Sequence, residues 1–242
     1  PGGEGPRDHR LYAVTPYAGD DLHTHLKDRP LGRVREPEAR DIFRQLLSAL
    51  SFLADRAVCH RDVSLENLLW DGARLQVIDF GLSRRCVREG RNLWLPHARC
   101  GKGMYTPPEM IRPQHAGRGG IEGRVMCGAA VDLWQSTAVL KALVTGDLFP
   151  WAEQPERWDQ AFYWLCVSPD SADRWRDAVH SSMAMSAGAR DLLGLLCREK
   201  VEERLGVEEA KAHWWTTGEE LGAGQVDHAV PEGGGGDDDL YS

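Results

Sequence analysis

The sequence contains no long apolar run, and no stretch approaches the roughly 18 consecutive apolar residues that a transmembrane helix needs. It also shows no signal peptide at its start. Positive charge is scarce, since 29 Lys and Arg face 37 Asp and Glu and leave a net charge of −8. We therefore expect no membrane insertion, and the acidic balance argues against nucleic acid as the main partner.

The cysteines lack the spacing of a metal site, because no C-x-x-C pair occurs among them. We interpret them as reduced thiols and expect a cytoplasmic protein. The six are Cys59, Cys86, Cys100, Cys127, Cys166 and Cys197. Internal repeats are also absent. With 242 residues, of which 42% are hydrophobic, the chain is long enough to bury the core of one domain.

The N-terminal half predicts one long helix between short extended segments. Residues 1–10 are rich in Gly, Pro and charge and predict a loose end, and residues 11–17 alternate as a short strand does. The long helix is predicted to begin near Pro37, a residue favoured at the first helical position. Its apolar face is formed by Ile42, Leu46, Leu50 and Leu53. Two short strands are predicted at 67–70 and 75–78.

The C-terminal half is predicted to be mainly helical. The segment 82–102 is polar and arginine-rich and predicts a loop, while the glycines of 112–130 are typical of an exposed insertion. A helix at 132–144 is expected to end at Gly146 in the C-cap position. Further helices are predicted at 156–166, 187–198 and 207–213. Beyond Thr217 the tail is rich in Gly and Asp and is expected to be disordered.

Two short segments place reactive side chains at close spacing. The segment 60–67 reads His-Arg-Asp-Val-Ser-Leu-Glu-Asn, so one loop can present both Asp62 and Asn67. Asp79 ends an apolar strand and is followed two residues later by Gly81, which is expected to let the backbone turn sharply. Two carboxylates and an amide suit the binding of magnesium and a nucleotide phosphate beside a hydroxyl.

These segments resemble the catalytic loop and the metal-binding motif of the eukaryotic protein kinases, and further motifs follow in that family's order. Residues 101–109 are similar to the end of a kinase activation segment, with Pro107 in place of the usual Ala. Residues 131–134 resemble the start of a long buried helix of the family. Arg204 matches the late arginine that pairs with Glu109.

The resemblance runs over residues 11–215 and leaves 216–242 as a tail. It implies an α+β fold, namely the mainly helical C-terminal lobe of a protein kinase with short β elements at the catalytic loop. It also implies ATP and Mg2+ as cofactors and a protein as substrate. The loop after Asp62 lacks the Ala- or Arg-rich spacing typical of tyrosine kinases, so serine/threonine specificity is expected.

The resemblance assigns the chemistry to three residues. Asp62 would accept a hydrogen bond from the substrate hydroxyl and take its proton. Asp79 would ligate the magnesium that bridges the nucleotide phosphates, and Asn67 would hold a second magnesium. The alternative is that Asp62 and Asn67 only cap turns.

Residues near the N-terminus resemble the segment that contacts the nucleotide base and sugar. Thr15, Pro16 and Ala18 would face adenine through the backbone, because the Pro16 carbonyl can accept a hydrogen bond although its nitrogen cannot donate one. Asp21 matches the acidic position that holds the ribose hydroxyls. An equally good interpretation makes Asp21 an acid at a helix N-terminus.

Other positions are implied as structural support. Arg61 would pair with an acidic or phosphorylated group of the activation segment, Asp132 would receive N–H groups of the catalytic loop, and Glu109 would form a buried ion pair with Arg204. Gly81 belongs to this supporting group, and His60 is interpreted as a packing residue.

Two departures from the family pattern are expected to be linked. Serine/threonine kinases carry a lysine two residues after the catalytic Asp, where this chain has Ser64. They carry a threonine near the end of the activation segment, where this chain has Lys102. We hypothesise that Lys102 reaches the transferred phosphate and Ser64 takes the threonine's role, the alternative being that Lys102 is merely solvated. Glu66 matches a position that often contacts basic substrate side chains.

The middle of the activation segment has no residue that can be phosphorylated. Between Gly81 and Pro107 the hydroxyl-bearing residues lie near the ends, at Ser83, Tyr105 and Thr106. We therefore expect activity without phosphorylation there, with Glu89 able to pair with Arg61.

The family's N-terminal lobe carries a Gly-rich phosphate loop, a strand lysine and a helix glutamate, and none of these precedes Leu11. We expect the chain to transfer the γ-phosphate of ATP to Ser or Thr within a longer chain that supplies this lobe, and to be inactive in isolation. The alternative is a catalytically inactive, kinase-derived scaffold or binding module. A small-molecule kinase is less compatible, because it would lack the Pro-Pro-Glu and Asp-x-Trp elements.

Overall fold

The structure is a computed structural model that describes residues 14–148, 160–163, 166, 168 and 185–219. It has the expected α+β fold. In chain order the helices are α1 (Leu22–Lys27), α2 (Glu36–Asp55), α3 (Pro108–Ile111), α4 (Gly128–Thr145), α5 (Gln160–Phe162), α6 (Ala187–Leu196), α7 (Val207–Ala212) and α8 (Trp214–Thr217). The strands are β1 (Asp20–Asp21), β2 (Val58–Cys59), β3 (Leu68–Trp70), β4 (Leu75–Val77), β5 (Arg84–Arg85), β6 (Val87–Glu89), β7 (Asn92–Pro96), β8 (His115–Ala116) and β9 (Arg124–Cys127).

Helix α2 follows from its apolar stripe and its N-terminal residues. Ile42 and Leu46 are fully buried and Leu50 nearly so, and this face packs against α4. Pro37 lies in the first turn, where its missing N–H costs no intrahelical bond. The helix therefore begins within one residue of the predicted start.

Helix α4 lies at the centre of the fold and is buried nearly throughout. It ends where predicted, because Gly146 adopts φ 86° and donates its N–H to the Ala142 carbonyl. Its start was predicted too late, since the helix begins at Gly128 rather than at Asp132. The main core consists of the buried faces of α1, α2, α4 and α6.

The strands beside the catalytic loop form a small sheet in the order β1-β3-β4. The predicted strands at 67–70 and 75–78 correspond to β3 and β4, each beginning or ending within one residue of the prediction. The predicted strand at 11–17 is wrong for residues 14–17, which have no regular structure, and 11–13 lie outside the described residues. The sheet instead takes Asp20–Asp21 as its edge strand, beside Leu69 and Trp70.

The segment 82–102 was predicted to be a loop, and the structure corrects this. It contains β5, β6 and β7, and the last two form a hairpin in which Glu89 faces Asn92. Gly90 has φ 59° and supplies the left-handed conformation of the two-residue turn. The three buried residues Leu93–Leu95 attach this hairpin to the protein. The segment therefore contains strands, although its many arginines suggested a loop.

The segment 112–130 is likewise not a simple exposed insertion. Strand β9 pairs with β7 on one side and with β8 on the other, which completes a four-stranded sheet in the order β6-β7-β9-β8. Val125 and Met126 are fully buried beneath it. A small core of Leu95, Met110, Met126 and Val131 joins this sheet to the start of α4.

The remaining predicted helices are found in part. The helix predicted at 187–198 ends at Leu196, and the one predicted at 207–213 ends at Ala212. Within the range 156–166 the described residues are α5 with residues 163 and 166, and 156–159, 164 and 165 lie outside them. The same holds for residues 1–10 and for the tail from 220 to 242. Among the helices of the described part, none has both the length and the apolar character needed to cross a bilayer.

Candidate active site

The catalytic loop, residues 60–67, leaves β2 and is held from behind by α4. The Asp132 carboxylate accepts the N–H of His60 through Oδ2 and the N–H of Arg61 through Oδ1, both at 2.7 Å. Gln135, one turn further along α4, accepts the Val63 N–H at 3.0 Å and donates to the Arg61 carbonyl at 3.2 Å. These bonds fix the loop while Arg61 adopts the left-handed φ of 71° that bends it.

Burial governs the ionisation of Asp132. Because the carboxyl is enclosed, burial raises its pKa from 3.8 to about 7, although the two N–H donors and the charge of Arg61 favour the ionised form. Sequence reasoning identified Asp132 as a receiver of loop N–H groups but missed Gln135. The available signal was a pair of polar residues spaced by three in a helix that is otherwise almost wholly apolar.

Asp62 and Asn67 are in direct contact within the loop. Asn67 Nδ2 donates to the Asp62 carbonyl at 2.8 Å and to its carboxylate Oδ2 at 2.9 Å. Asn67 is 8% exposed, whereas Asp62 is half-buried. Because the amide nitrogen serves Asp62, the amide oxygen Oδ1 is the atom of Asn67 that suits a cation.

Asp79 is attached to the same loop through the backbone. The N–H of Ile78 donates to the Asn67 carbonyl at 3.0 Å, which brings the end of β4 against the end of the catalytic loop. The sharp turn here lies at Asp79, which has φ 58°, and not at Gly81 as expected. Gly81 contributes in another way: its N–H donates to Asp79 Oδ1, and a Cβ on it would lie only 3.0 Å from that oxygen.

His60 packs between the two loops. It is fully buried, its Nε2 is 2.9 Å from the Ile78 carbonyl, and its ring lies edge-on to Phe80 with the centroids 4.9 Å apart. Burial lowers the pKa of His60, although the Ile78 carbonyl and the charges of Asp62 and Asp79 act to raise it. The two carboxylates thus flank a neutral imidazole that has a packing role.

Lys102 of the activation segment reaches the catalytic loop. Its Nζ donates to Ser64 Oγ at 2.8 Å and lies 2.7 Å from Glu66 Oε2. Burial acts to raise the pKa of Glu66, but its hydrogen bond with Lys102 keeps that pKa below the usual value. The sequence placed Lys102 and Ser64 in one site, but it did not indicate that Glu66 would hold the ammonium group.

The activation segment approaches the loop closely enough to require a glycine. Gly101 has φ 80°, and a Cβ there would lie 2.9 Å from the Arg61 carbonyl and 3.2 Å from Asp62 Oδ1. Further along the segment, the buried Tyr105 accepts the N–H of Leu65 through its hydroxyl at 3.3 Å. Sequence reasoning assigned no role to Tyr105.

Arg61 does not meet the partner suggested for it. It is 5% exposed and donates from Nη1 to the Leu82 carbonyl at 3.3 Å. Its buried Nε has no hydrogen-bond partner within the described part of the chain. Glu89 is exposed in β6, where it faces Asn92, so the suggested Glu89–Arg61 pair is absent from the described residues.

Glu109 and Arg204 form a two-point ion pair. The guanidinium donates to Glu109 Oε1 at 2.8 Å and to Oε2 at 3.0 Å, and each side chain is only 1% exposed. The guanidinium lies 4.9 Å from the centre of the Trp134 ring and also donates to the carbonyls of Arg198 and Ala130. This cluster fixes the end of the activation segment to α4.

The segment expected to contact adenine is exposed. Thr15 and Pro16 are open to solvent and Ala18 is half-buried. Asp21 is the N-cap of α1, because its two oxygens accept the backbone N–H and the hydroxyl of Thr24, each at 2.9 Å. The helix-terminus interpretation of Asp21 is therefore the one that the structure shows.

The donor set fits magnesium shared with a nucleotide. No group of three or more His, Cys, Asp or Glu side chains within the described part of the chain is placed to hold a metal alone. Asp79 and Asn67 offer one carboxylate and one amide oxygen, and magnesium typically takes one or two such protein ligands and completes its shell with phosphates and water.

The sequences of known proteins match most of the chain. The protein kinase domain family matches residues 6–216. The chain is 32% identical over 203 residues to a probable serine/threonine-protein kinase MARK-B of Dictyostelium discoideum, covering 82% of this chain and 24% of the relative. It is 29% identical over 208 residues to the NUAK family SNF1-like kinase 2 of Rattus norvegicus, covering 85% of this chain and 28% of the relative.

A shorter and more similar match is to the CBL-interacting protein kinase 31 of Oryza sativa, at 40% identity over 141 residues, 57% of this chain and 28% of the relative. The chain thus spans about a quarter of the length of these three relatives. The domain match covers most of the chain, and it agrees with the ordered motifs and with the loop geometry. The chain therefore belongs to the protein kinase family.

Proposed function

We propose that this chain provides the phosphoryl-transfer site of a serine/threonine protein kinase, which moves the γ-phosphate of ATP to a hydroxyl group of a protein substrate. The observation that carries the proposal is the contact of Asp62 with Asn67, beside Asp79, in loops joined through Ile78. The relatives named as serine/threonine kinases favour that substrate class.

Asp62 has the position and freedom of a general base. One of its carboxylate oxygens is occupied by the Asn67 amide, which orients the group. Because the side chain is half-buried, a substrate hydroxyl can reach it and donate its proton as the bond to phosphorus forms. Phosphoryl transfer depends mainly on such positioning and on charge stabilisation.

The magnesium ions would be held by a carboxylate oxygen of Asp79 and by the amide oxygen Oδ1 of Asn67. The bound cation supplies charge neutralisation at the phosphates. The exposed backbone at Thr15, Pro16 and Ala18 would receive the adenine base. Asp21 is engaged by Thr24, so a contact with the ribose would add to its capping role.

Lys102 is proposed to provide the cation that the family usually places at position 64. Its ammonium group lies against Ser64 Oγ, the residue that replaces the loop lysine of the family. The positive charge would therefore be supplied by the activation segment instead of by the catalytic loop. Glu66 holds Lys102 in this orientation. Ser64 correspondingly accepts a hydrogen bond from Lys102, as a hydroxyl in the threonine's role can.

The first experiment measures phosphate transfer by the native gene product that contains these residues. We expect Asp62→Asn to lower kcat by about 10²-fold or more, because the general base is lost. Asp71→Asn is the matched control, since Asp71 is an exposed turn residue that only accepts N–H groups of Ala73 and Arg74. Equal activity of the two variants would contradict the proposal.

The second experiment exchanges the two unusual residues. Lys102→Thr is expected to lower kcat by about 10-fold to 10²-fold, through the loss of one charge-stabilising group. The double variant Ser64→Lys/Lys102→Thr restores the usual order of the family and should recover most of this activity. An unchanged kcat in Lys102→Thr would refute the role of Lys102 while leaving that of Asp62 intact.

The ion pair of Lys102 with Glu66 favours a second candidate, a kinase-derived binding module. The carboxylate offsets the charge that catalysis would use at this point. Absence of phosphate transfer by the native product, together with retained partner binding in Asp62→Asn, would favour this second function.

A further inference from the structure

Two thiols meet where the catalytic loop begins. Cys59 Sγ lies 3.0 Å from Cys86 Sγ although the residues are 27 positions apart, and both cysteines are free. Strands β2 and β5 pair antiparallel with Cys59 opposite Arg84. Cys86 lies two positions beyond Arg84, so the two side chains share one face of the strand pair.

The surrounding backbone holds the thiols in place. The N–H of Cys86 donates to the Ala57 carbonyl at 2.8 Å, which continues the strand pairing as far as Cys86. Behind Cys59, Gly128 leaves space for the sulfur, since a Cβ at that position would lie 2.2 Å from Cys59 Sγ. Folding therefore brings the two sulfur atoms together without any contribution from a ligand.

The two thiols differ in access and acidity. Cys59 is fully buried, whereas Cys86 is half-buried. The contact with Cys59 lowers the pKa of Cys86, and the charge of Arg61 acts in the same direction against burial and Asp132. The same contact raises the pKa of Cys59, so Cys86 is the more acidic thiol of the pair and the one that more readily forms a thiolate.

We propose that Cys59 and Cys86 are a redox modification site, at which hydrogen peroxide converts the thiol pair into a reversible disulfide. The Cys86 thiolate attacks one peroxide oxygen, which breaks the O–O bond, releases hydroxide and leaves Cys86 as a sulfenic acid. The Cys59 sulfur then attacks the sulfenic sulfur, and its proton leaves with the oxygen as water. In total, the two thiols lose two electrons and the peroxide is reduced to two waters.

The bond would enclose the proposed catalytic residues in one covalent ring. Residues 59 and 86 bracket Asp62, Asn67 and Asp79 in the sequence. The disulfide would restrict the unfolded chain and so raise the unfolding temperature of the protein. This inference concerns covalent chemistry and holds whether or not the chain transfers phosphate.

The experiment treats the reduced, folded protein with hydrogen peroxide, blocks the remaining thiols with N-ethylmaleimide and maps peptides without reduction. We expect a crosslinked peptide pair containing Cys59 and Cys86, with the loss of two hydrogen atoms, that dithiothreitol reverses. Cys166 and Cys197 are the internal control, because their sulfur atoms are 3.8 Å apart but both are buried and the pKa of Cys166 is raised. Their crosslink should form at least about tenfold more slowly.

Variants separate the two steps. Cys86→Ser should abolish the crosslink, and Cys197→Ser should leave it unchanged. Cys59→Ser should leave a sulfenic acid at Cys86 that dimedone traps in preference to the half-buried Cys100, whose pKa burial raises. The proposal is overturned if Cys59 links instead to Cys127, or if the wild-type protein shows no crosslink while peroxide is consumed.

Discussion

Behind the catalytic loop and at the end of the activation segment, polar side chains are buried and paired, whereas most of the side chains proposed for chemistry are at least partly exposed to solvent. We call the first set, Asp132, Gln135, Glu109 and Arg204, the rear face, and each member is less than 8% exposed. The second set, Asp62, Asn67, Asp79 and Lys102, is the front face, in which only Asn67 is buried. The comparison teaches that residues of the supporting elements fix the positions of the loops, while the groups proposed for reactivity belong to the loops themselves.

The physical reason is the cost of burying polar groups. A buried charge or polar group without a partner is strongly destabilising, so each rear-face residue needs one: Glu109 and Arg204 pair with each other, and Asp132 and Gln135 pair with the backbone of the catalytic loop. Front-face groups remain hydrated until they meet a ligand, so they can keep unused acceptors at little cost. We therefore expect rear-face substitutions to change the free energy of unfolding and front-face substitutions to change activity.

The largest effect is expected at the buried ion pair. Arg204→Met should lower the free energy of unfolding by about 3–5 kcal/mol, because Glu109 would remain charged and unpaired. The matched control is Lys200→Met, which removes the exposed partner of Glu203 and should change the free energy of unfolding far less than Arg204→Met does. Urea unfolding measures both values.

A compensating variant sharpens the same test. Glu109→Leu/Arg204→Met removes both charges and should recover most of the lost stability. If the double variant is as unstable as Arg204→Met alone, the lost stability does not come from an unpaired Glu109. Lost packing of Arg204 around the ring of Trp134 would then account for it.

A smaller effect is expected at Asp132. Asp132→Asn should lower stability by about 1–3 kcal/mol, since one loop N–H then faces an amide nitrogen instead of an acceptor. The pKa of Asp132 is raised from 3.8 to about 7 in the folded protein, so its contribution is fully present below about pH 4 and is lost as the pH rises through about 7.

Urea unfolding of the wild type and Asp132→Asn from about pH 4 to about pH 8 tests this assignment. The stability difference should shrink as the pH rises, because the amide does not titrate. Asp71→Asn is the control, since the N–H groups of Arg74 and Ala73 lower the pKa of Asp71, so its contribution is complete above about pH 4 and its stability difference should stay constant over this range. A difference for Asp132 that grows with pH would contradict the predicted direction.

The smallest effect is expected at Asp21, which belongs to neither set and caps α1. Asp21→Ala should cost about 1 kcal/mol of stability through the loss of the α1 N-cap, whereas Asp21→Asn should cost little, since Asn caps equally well. Hydrogen exchange of the amides in α1 measures the local change. Equal protection of α1 in both variants would show that the cap does not hold the helix.

The sequence predicted best what depends on neighbouring residues. The spacing of Asp62 and Asn67 on one loop, the stripe of α2 and the cap at Gly146 are local features, and each has its counterpart in the structure. The pairing of strands far apart in the sequence could not be predicted in this way. Strand β7 pairs with β9 about 30 residues later, and the arginines of the segment suggested a loop although Leu93 and Leu95 are buried.

The contacts of single side chains were also hard to predict. Glu66 was assigned to a substrate, yet its nearest cation is Lys102 of the same chain. The turn expected at Gly81 is made by Asp79, because a side-chain hydrogen bond to Gly81 supports the left-handed backbone there. Such choices depend on three-dimensional neighbours that spacing alone does not reveal.

The hairpin of β6 and β7 has a consequence for substrate recognition. Its strands belong to a four-stranded sheet, and its buried residues lie in the body of the protein. The conformational entropy of this part of the activation segment is therefore lost when the chain folds, at about 1–2 kcal/mol per residue. Under the proposed function, a substrate peptide that contacts the hairpin would meet a preorganised surface and would not have to order these residues itself.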